Sequence, residues 1–170
     1  MTILHALPVA GGILAISAIP GADGDLAGDL SHLADWRPSV VISLVTVAEF
    51  EALGAGRLAS FVADHGARWE HLPVVDFGTP DAAFERRWAV LSRAILKALA
   101  GGGRVLVHCR GGCGRSGMLA LRLMIEAGEA PDDALARLRA VRPCAVETAA
   151  QLRWAVSVRR DAARFLRHED

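Results

Sequence analysis

Between residues 101 and 117 the chain reads G-G-G-R-V-L-V-H-C-R-G-G-C-G-R-S-G, and little but a buried strand feeding a tight loop can be made of it. The run Arg104 to Val107 is apolar, β-branched and bounded by glycine, and it is too short to be a helix. The strand therefore ends at His108. Beyond Cys109, glycines at 111, 112 and 114 permit positive φ, and from Ser116 an apolar stretch, Met118 to Ala127, reads as a buried helix closed by Gly128. Such a loop can turn its N–H groups inward while the helix behind it adds an N-terminal partial charge. The concavity then suits a phosphate-sized dianion.

A cysteine on the floor of that concavity meets the same dipoles, which favour its thiolate. Arg115 can fold back over the loop and grip two phosphate oxygens in a planar fork that lysine cannot reproduce. Ser116 can donate a hydrogen bond to the sulfur. Each residue alone has a plainer explanation, with Cys109 a small buried apolar group, His108 a core histidine and the glycines a turn. Together, His108-Cys109-x5-Arg115-Ser116 resembles the signature loop of the cysteine-dependent protein phosphatases, closest to their dual-specificity branch. The resemblance implies a nucleophilic Cys109 and a phosphate cradle formed by Arg110, Gly111, Gly112, Cys113, Gly114 and Arg115. It also implies that the His108 ring braces the loop rather than touching substrate. The fold it implies is α/β, a central and mainly parallel sheet flanked by helices.

The 170 residues, 52% of them hydrophobic, suit one domain spanning residues 1–170. A formal net charge of zero argues against nucleic acid or an anionic membrane surface as the main partner. Three cysteines, an odd number without framework spacing, predict free thiols and a cytoplasmic location. The apolar run from Ala6 to Pro20 lacks a basic segment before it and is interrupted by Pro8, Gly11 and Gly12, which speaks against a signal peptide. No stretch is long enough to span a membrane. No cluster of metal-ligand type occurs, and neither metal nor other cofactor is expected.

Along the chain, Gly11 to Ser17 reads as a turn and strand, and Asp25 to Trp36 as a helix with leucines at 26, 30 and 33 on one face. Val40 to Val45 is a second strand. Thr46 and Glu49 form a capping box that starts a helix at Val47, followed by a helical stretch from Arg57 to His65. Trp69 to Val75 is the next strand. Thr79 is the expected N-cap of a helix with Pro80 in its first turn, running to about Ala100. Asp81 then has a structural reason to stand in the first helical turn, where the macrodipole favours a carboxylate. Asp76 has none, since it interrupts an apolar strand end before a loop. The resemblance supplies one, because the family carries its general acid on a loop about this far before the cysteine. The pattern D-x-G-T-P-D is especially similar to that of the kinase-associated dual-specificity phosphatases.

Pro131 to Arg142 is an amphipathic helix, and a last helix runs from near Gln151 to about Arg167 with Trp154, Val158 and Phe165 packing inward. Arg142-Pro143-x3-Glu147-Thr148-x2-Gln151 resembles the family segment whose glutamine orients the attacking water; otherwise Gln151 would be a solvated surface residue. The chain departs from the family pattern at Cys113, where an aliphatic residue is usual, and at Cys144, where glycine is common. Cys113 invites two readings, a small core residue or a redox partner of Cys109. The implied activity is hydrolysis of phosphate monoesters, with a phosphorylated substrate, in the first instance a phosphoprotein. A phosphate-binding module without turnover and a rhodanese-like sulfurtransferase are the alternatives, and neither has a use for Asp76.

Overall fold

The computed structural model describes residues 1–158. They run β1 (His5–Val9), β2 (Gly12–Ser17), α1 (Leu26–Trp36), β3 (Val40–Ser43), α2 (Val47–Ala52), α3 (Leu58–Asp64), β4 (Arg68–His71), α4 (Ala82–Ala100), β5 (Arg104–His108), α5 (Gly114–Glu126), α6 (Pro131–Val141) and α7 (Ala149–Val156). The sheet has five strands in the order β1-β2-β5-β3-β4. Only β1 is antiparallel to its neighbour, so the sheet is mainly parallel, as expected. β5 lies at its centre. The register pairs His108 with Ser17 on one side and Ser43 on the other, so the central strands end in one row. The loops beyond that row converge at the carboxyl ends of the strands, where open α/β sheets bind ligands.

Alternation along the strands divides the core. Leu14, Ile16, Val40, Ile42, Val105 and Val107 pack with Trp88 and Ile95 of α4 and the apolar face of α5. Ala15, Val41 and Leu106 face the other way, onto Leu30 and Leu33 of α1 and Leu58 and Val62 of α3. Buried on both faces, these strands read as continuous apolar runs, which is why the sequence marks them so plainly.

Elsewhere the structure corrects the sequence reading. The N-terminal apolar run holds an additional strand, β1, joined to β2 by Ala10 (φ 53°) and Gly11 (φ 91°), the left-handed pair of a tight hairpin. Pro8 is tolerated because β1 is at the sheet edge. β4 is shorter than expected and ends at His71, two residues before Pro73, which has no N–H to give a ladder. α4 begins two residues late: Asp81 itself is the N-cap, accepting from the Phe84 N–H at 2.8 Å, and neither Thr79 nor Pro80 lies in the helix. The outer part of the expected last helix, with Phe165, lies outside the described residues. Among the described residues no helix is long and apolar enough to cross a membrane.

Candidate active site

Beyond β5 the backbone turns through Arg110 to Cys113 and enters α5 at Gly114. Its carbonyls are tied outward. Arg142, at the end of α6, donates through Nη2 to Gly111 O (2.9 Å) and through Nε to Gly112 O (3.1 Å), Ile19 N donates to Arg110 O (3.1 Å), and Val146 N donates to Cys113 O (3.2 Å). The N–H groups from Arg110 to Arg115 meet no backbone acceptor among the described residues, which leaves them for a bound anion. Gly112 is needed here twice over: its φ is 72°, and a Cβ would lie 2.5 Å from the Ser17 carbonyl carbon. Cys109 is buried with its Sγ 3.2 Å from Ser116 Oγ, and Ser116 is itself fully buried. The Arg110 side chain is exposed.

Arg115 is almost wholly buried, and its contacts differ from the fork expected over the loop. Nη1 and Nη2 meet Glu49 Oε1 and Oε2 end-on at 2.7 and 2.8 Å, and Nη1 also donates to Val74 O at 2.8 Å. Nη2 lies 3.2 Å from Asp76 Oδ1. The remaining donor, Nε, is buried without a partner. An orphan donor in an interior is costly unless a ligand satisfies it. Nε and Nη2 form the side edge of a guanidinium, so that edge, held in part by Asp76, is the one a phosphate would take.

Glu49 is the functional partner that the sequence reading missed. Its role in the capping box is real, since Thr46 N donates to Oε1 at 3.1 Å and Thr46 Oγ1 receives the Glu49 N–H at 3.3 Å. That local explanation was sufficient and hid the second role. The hydrogen-bonded Arg115 guanidinium pulls the Glu49 carboxyl down to about 2, against the opposing effect of its partial burial. The signal that could have found it is positional: a carboxylate in the first turn after β3, at the carboxyl edge where the loop also lies.

His108 is fully buried, and burial above all lowers its pKa to about 4, so the ring is neutral. Nδ1 lies 3.2 Å from Cys109 O, and Nε2 is hydrogen-bonded to Ser43 Oγ. Trp69 Nε1 donates to the same Ser43 oxygen at 2.9 Å. One neutral tautomer satisfies the chain: Nδ1–H donates to the carbonyl, and Nε2 accepts from the serine hydroxyl. His108 thus ties the cysteine backbone to β3 and β4.

The two carboxylates stand in different surroundings. The Asp81 side chain is engaged in capping α4. Asp76 is half exposed at the Arg115 edge, in a turn closed by Gly78 N to Val75 O at 2.8 Å, with Phe77 at φ 60°. Gln151 is not on the surface: it is fully buried in a capping box with Thr148. Its Oε1 accepts from Glu147 N and Thr148 N at 3.0 and 3.2 Å, and its Nε2 donates to Gly78 O at 3.2 Å. Gln151 therefore reaches the Asp76 loop through the backbone. Arg122 of α5, 4.4 Å from the Trp154 ring centroid and 3.1 Å from Trp154 O, holds α7 in place.

The cysteines require a correction. Cys113 and Cys144 form a disulfide, with Cα atoms 5.2 Å apart, and only Cys109 is a free thiol. The expectation of three free thiols fails because the turn after α6 brings Cys144 against the loop, a proximity that a separation of 31 residues does not reveal. With Cys113 engaged there, it is neither a core thiol nor bonded to Cys109.

Comparison with known proteins gives the family and supports the fold. Residues 26–159 match the family described as Swiss Army Knife protein, DSP-PTPase phosphatase domain. The chain is 27% identical over 164 residues to cyclin-dependent kinase inhibitor 3 of Mus musculus, covering 92% of this chain and 76% of that protein. Among solved structures, a kinase associated phosphatase with its catalytic-site cysteine replaced by serine superposes with a TM-score of 0.81 at 22% identity, covering 95% of this chain and 96% of that one. Tk-PTP in its active form superposes with a TM-score of 0.71 at 27% identity, covering 92% and 97%.

Proposed function

Because the chain belongs to the DSP-PTPase phosphatase domain family, we propose that it hydrolyses phosphate monoesters of proteins in two steps through a phosphocysteine on Cys109. The observation that carries the reading is the Arg115 side edge: an unpartnered buried Nε beside an Nη2 shared with Asp76, at the mouth of a loop whose N–H groups are free. A phosphate dianion entering the loop takes that edge and displaces Asp76 from Nη2. Cys109 Sγ attacks phosphorus in line, and the ester oxygen leaves with a proton from Asp76. The N–H groups of Arg110, Gly111, Gly112, Cys113, Gly114 and Arg115 hold the equatorial oxygens throughout. Ser116 Oγ donates to the sulfur, which stabilises it as attacking and as leaving thiolate.

In the second step a water attacks the phosphocysteine and yields its proton to Asp76, now a base. Gln151 positions that water: its Oε1 is occupied, but Nε2 carries a second hydrogen beyond the one given to Gly78 O. His108 fixes the loop without touching substrate. The names of the relatives make a phosphorylated kinase a reasonable first member of a substrate panel that also holds phosphotyrosine, phosphoserine and inositide esters. We place the single domain, residues 1–170, in the cytoplasm, where disulfides are usually transient. The test is turnover of a nitrophenyl phosphate and of the panel by wild type and Cys109→Ser. Wild type hydrolyses the aryl ester, and Cys109→Ser does not, while still binding vanadate. Hydrolysis by Cys109→Ser at the wild-type rate would overturn the reading.

A further inference from the structure

The disulfide joins Cys113, the N-cap residue of α5 in the middle of the loop, to Cys144. Two residues beyond Cys144 the backbone is strained. Val146 is buried and β-branched, yet its φ is 67°, a conformation such a residue keeps only where its surroundings over-determine it. Val146 N donates to Cys113 O (3.2 Å), Arg139 Nη2 donates to Val146 O (3.0 Å), and Arg139 Nε donates to Ala145 O (2.9 Å). The segment also lies tight against α5, since a Cβ on Gly117 would be 2.6 Å from Val146 N.

Immediately beyond the strained residue come the N–H groups of Glu147 and Thr148 that hold Gln151 Oε1, and Gln151 Nε2 then reaches Gly78 O on the loop of Asp76. The disulfide, the strained valine, the glutamine and the acid loop are therefore in series. The cradle has other supports. Arg142, before the disulfide at the end of α6, holds the Gly111 and Gly112 carbonyls, and Gly112 packs on the Ser17 backbone.

We propose that the Cys113–Cys144 disulfide is a redox-sensitive latch that holds Val146 in its strained conformation and so positions Gln151 and the Asp76 loop for hydrolysis of the phosphocysteine. The inference rests on the two-step phosphatase reading. Opening the latch needs a dithiol reductant. One of its thiolates attacks a cysteine sulfur and expels the other cysteine as a thiolate. Its second thiolate then closes the reductant into a cyclic disulfide, leaving two protein thiols and transferring two electrons to the protein. Val146 then relaxes, the Glu147 and Thr148 amides turn from Gln151, and the second step slows, while the first continues with a nitrophenyl ester, whose leaving group hardly needs the Asp76 proton.

The experiment compares oxidised and dithiol-reduced protein in stopped-flow turnover of nitrophenyl phosphate, with reactive Cys109 counted in each sample by iodoacetate labelling. kcat/KM reports the chemistry up to phosphorylation of Cys109, whereas kcat includes hydrolysis. Reduction lowers kcat per reactive Cys109 by about fivefold or more, leaves kcat/KM unchanged and produces a nitrophenol burst; reoxidation reverses all three. Cys144→Ser behaves as the reduced protein in either condition. Val146→Gly is the sharper variant: glycine takes positive φ without strain, so its kcat is the same oxidised and reduced. An unchanged wild-type kcat on reduction would overturn the latch, as would a parallel fall in kcat/KM or undiminished redox sensitivity in Val146→Gly. Absence of aryl phosphate hydrolysis by the oxidised wild type would instead overturn the phosphatase reading, and the latch with it.

Discussion

Glu49 and Arg115, 66 positions apart, meet in a bidentate pair of 2.7 and 2.8 Å that sets which edge of the guanidinium remains for substrate. Nη1 also donates to Val74 O at 2.8 Å, and the contact of Nη2 with Asp76 is longer at 3.2 Å. Glu49→Gln keeps a capping-box residue at the position and removes only the charge. The variant should lower kcat/KM for an aryl phosphate by about tenfold or more through loss of the charge-assisted fork. Steady-state kinetics at matched protein stability checks this.

The same pair makes stability pH-dependent. The folded Glu49 carboxyl is held at about 2, below its ordinary 4.5, so the unfolded chain takes up the proton first as pH falls. The stabilisation is fully present above about pH 4.5 and is lost as pH falls towards 2. Urea unfolding of wild type and Glu49→Gln should therefore show a gap that is constant at neutral pH and closes through that acid window.

His108 gives a second window. Its folded pKa of about 4 lies below the ordinary 6.5, so the neutral ring stabilises the fold above pH 6.5 and that contribution falls away as pH drops towards 4. Imidazole resonances followed by NMR should give a midpoint for His108 near 4. A midpoint near 6.5 would mean that the brace is not the buried neutral ring described above.

The two acidic candidates separate by leaving group. An alkoxide needs protonation as it departs and a nitrophenolate hardly does, and general acid catalysis is worth on the order of a hundred to ten-thousandfold. Asp76→Asn should therefore lose far more activity on a serine-type ester than on nitrophenyl phosphate, and flatten the basic limb of the pH–rate profile. Asp81→Ala should cost about 1 kcal/mol of stability through the lost N-cap with no leaving-group dependence. A leaving-group defect in Asp81→Ala with none in Asp76→Asn would exchange the two assignments.

What was legible in the sequence was local. Strand β5, its loop and α5 follow from glycine placement and apolar runs within a few residues, and the resemblance at His108, Cys109, Arg115 and Ser116 rests on the same stretch. What was hidden depends on contacts across the sheet. β1 needs β2 as a partner, and its Pro8 read as an interruption until the strand proved to be an edge. Glu49 had a complete local role at Thr46, and only its place in the first turn after β3 pointed beyond it. Cys113 and Cys144 meet only because α6 returns the chain to the loop, and counting three cysteines argued for free thiols instead. Gln151 was singled out by the resemblance of its segment, but its burial follows from the α5–α7 packing, which no periodicity in a short helix reveals.

The central claim is that Cys109 carries the phosphoryl group between the two steps. Rapid acid quench during turnover of nitrophenyl phosphate, followed by peptide mass spectrometry, tests it most directly. The account predicts a phosphate adduct on Cys109 in wild type, more of it in Gln151→Ala, where hydrolysis lacks its positioned water, and none in Cys109→Ser. Sustained turnover with no adduct on Cys109 in any of these proteins, or an adduct on another residue, would contradict it.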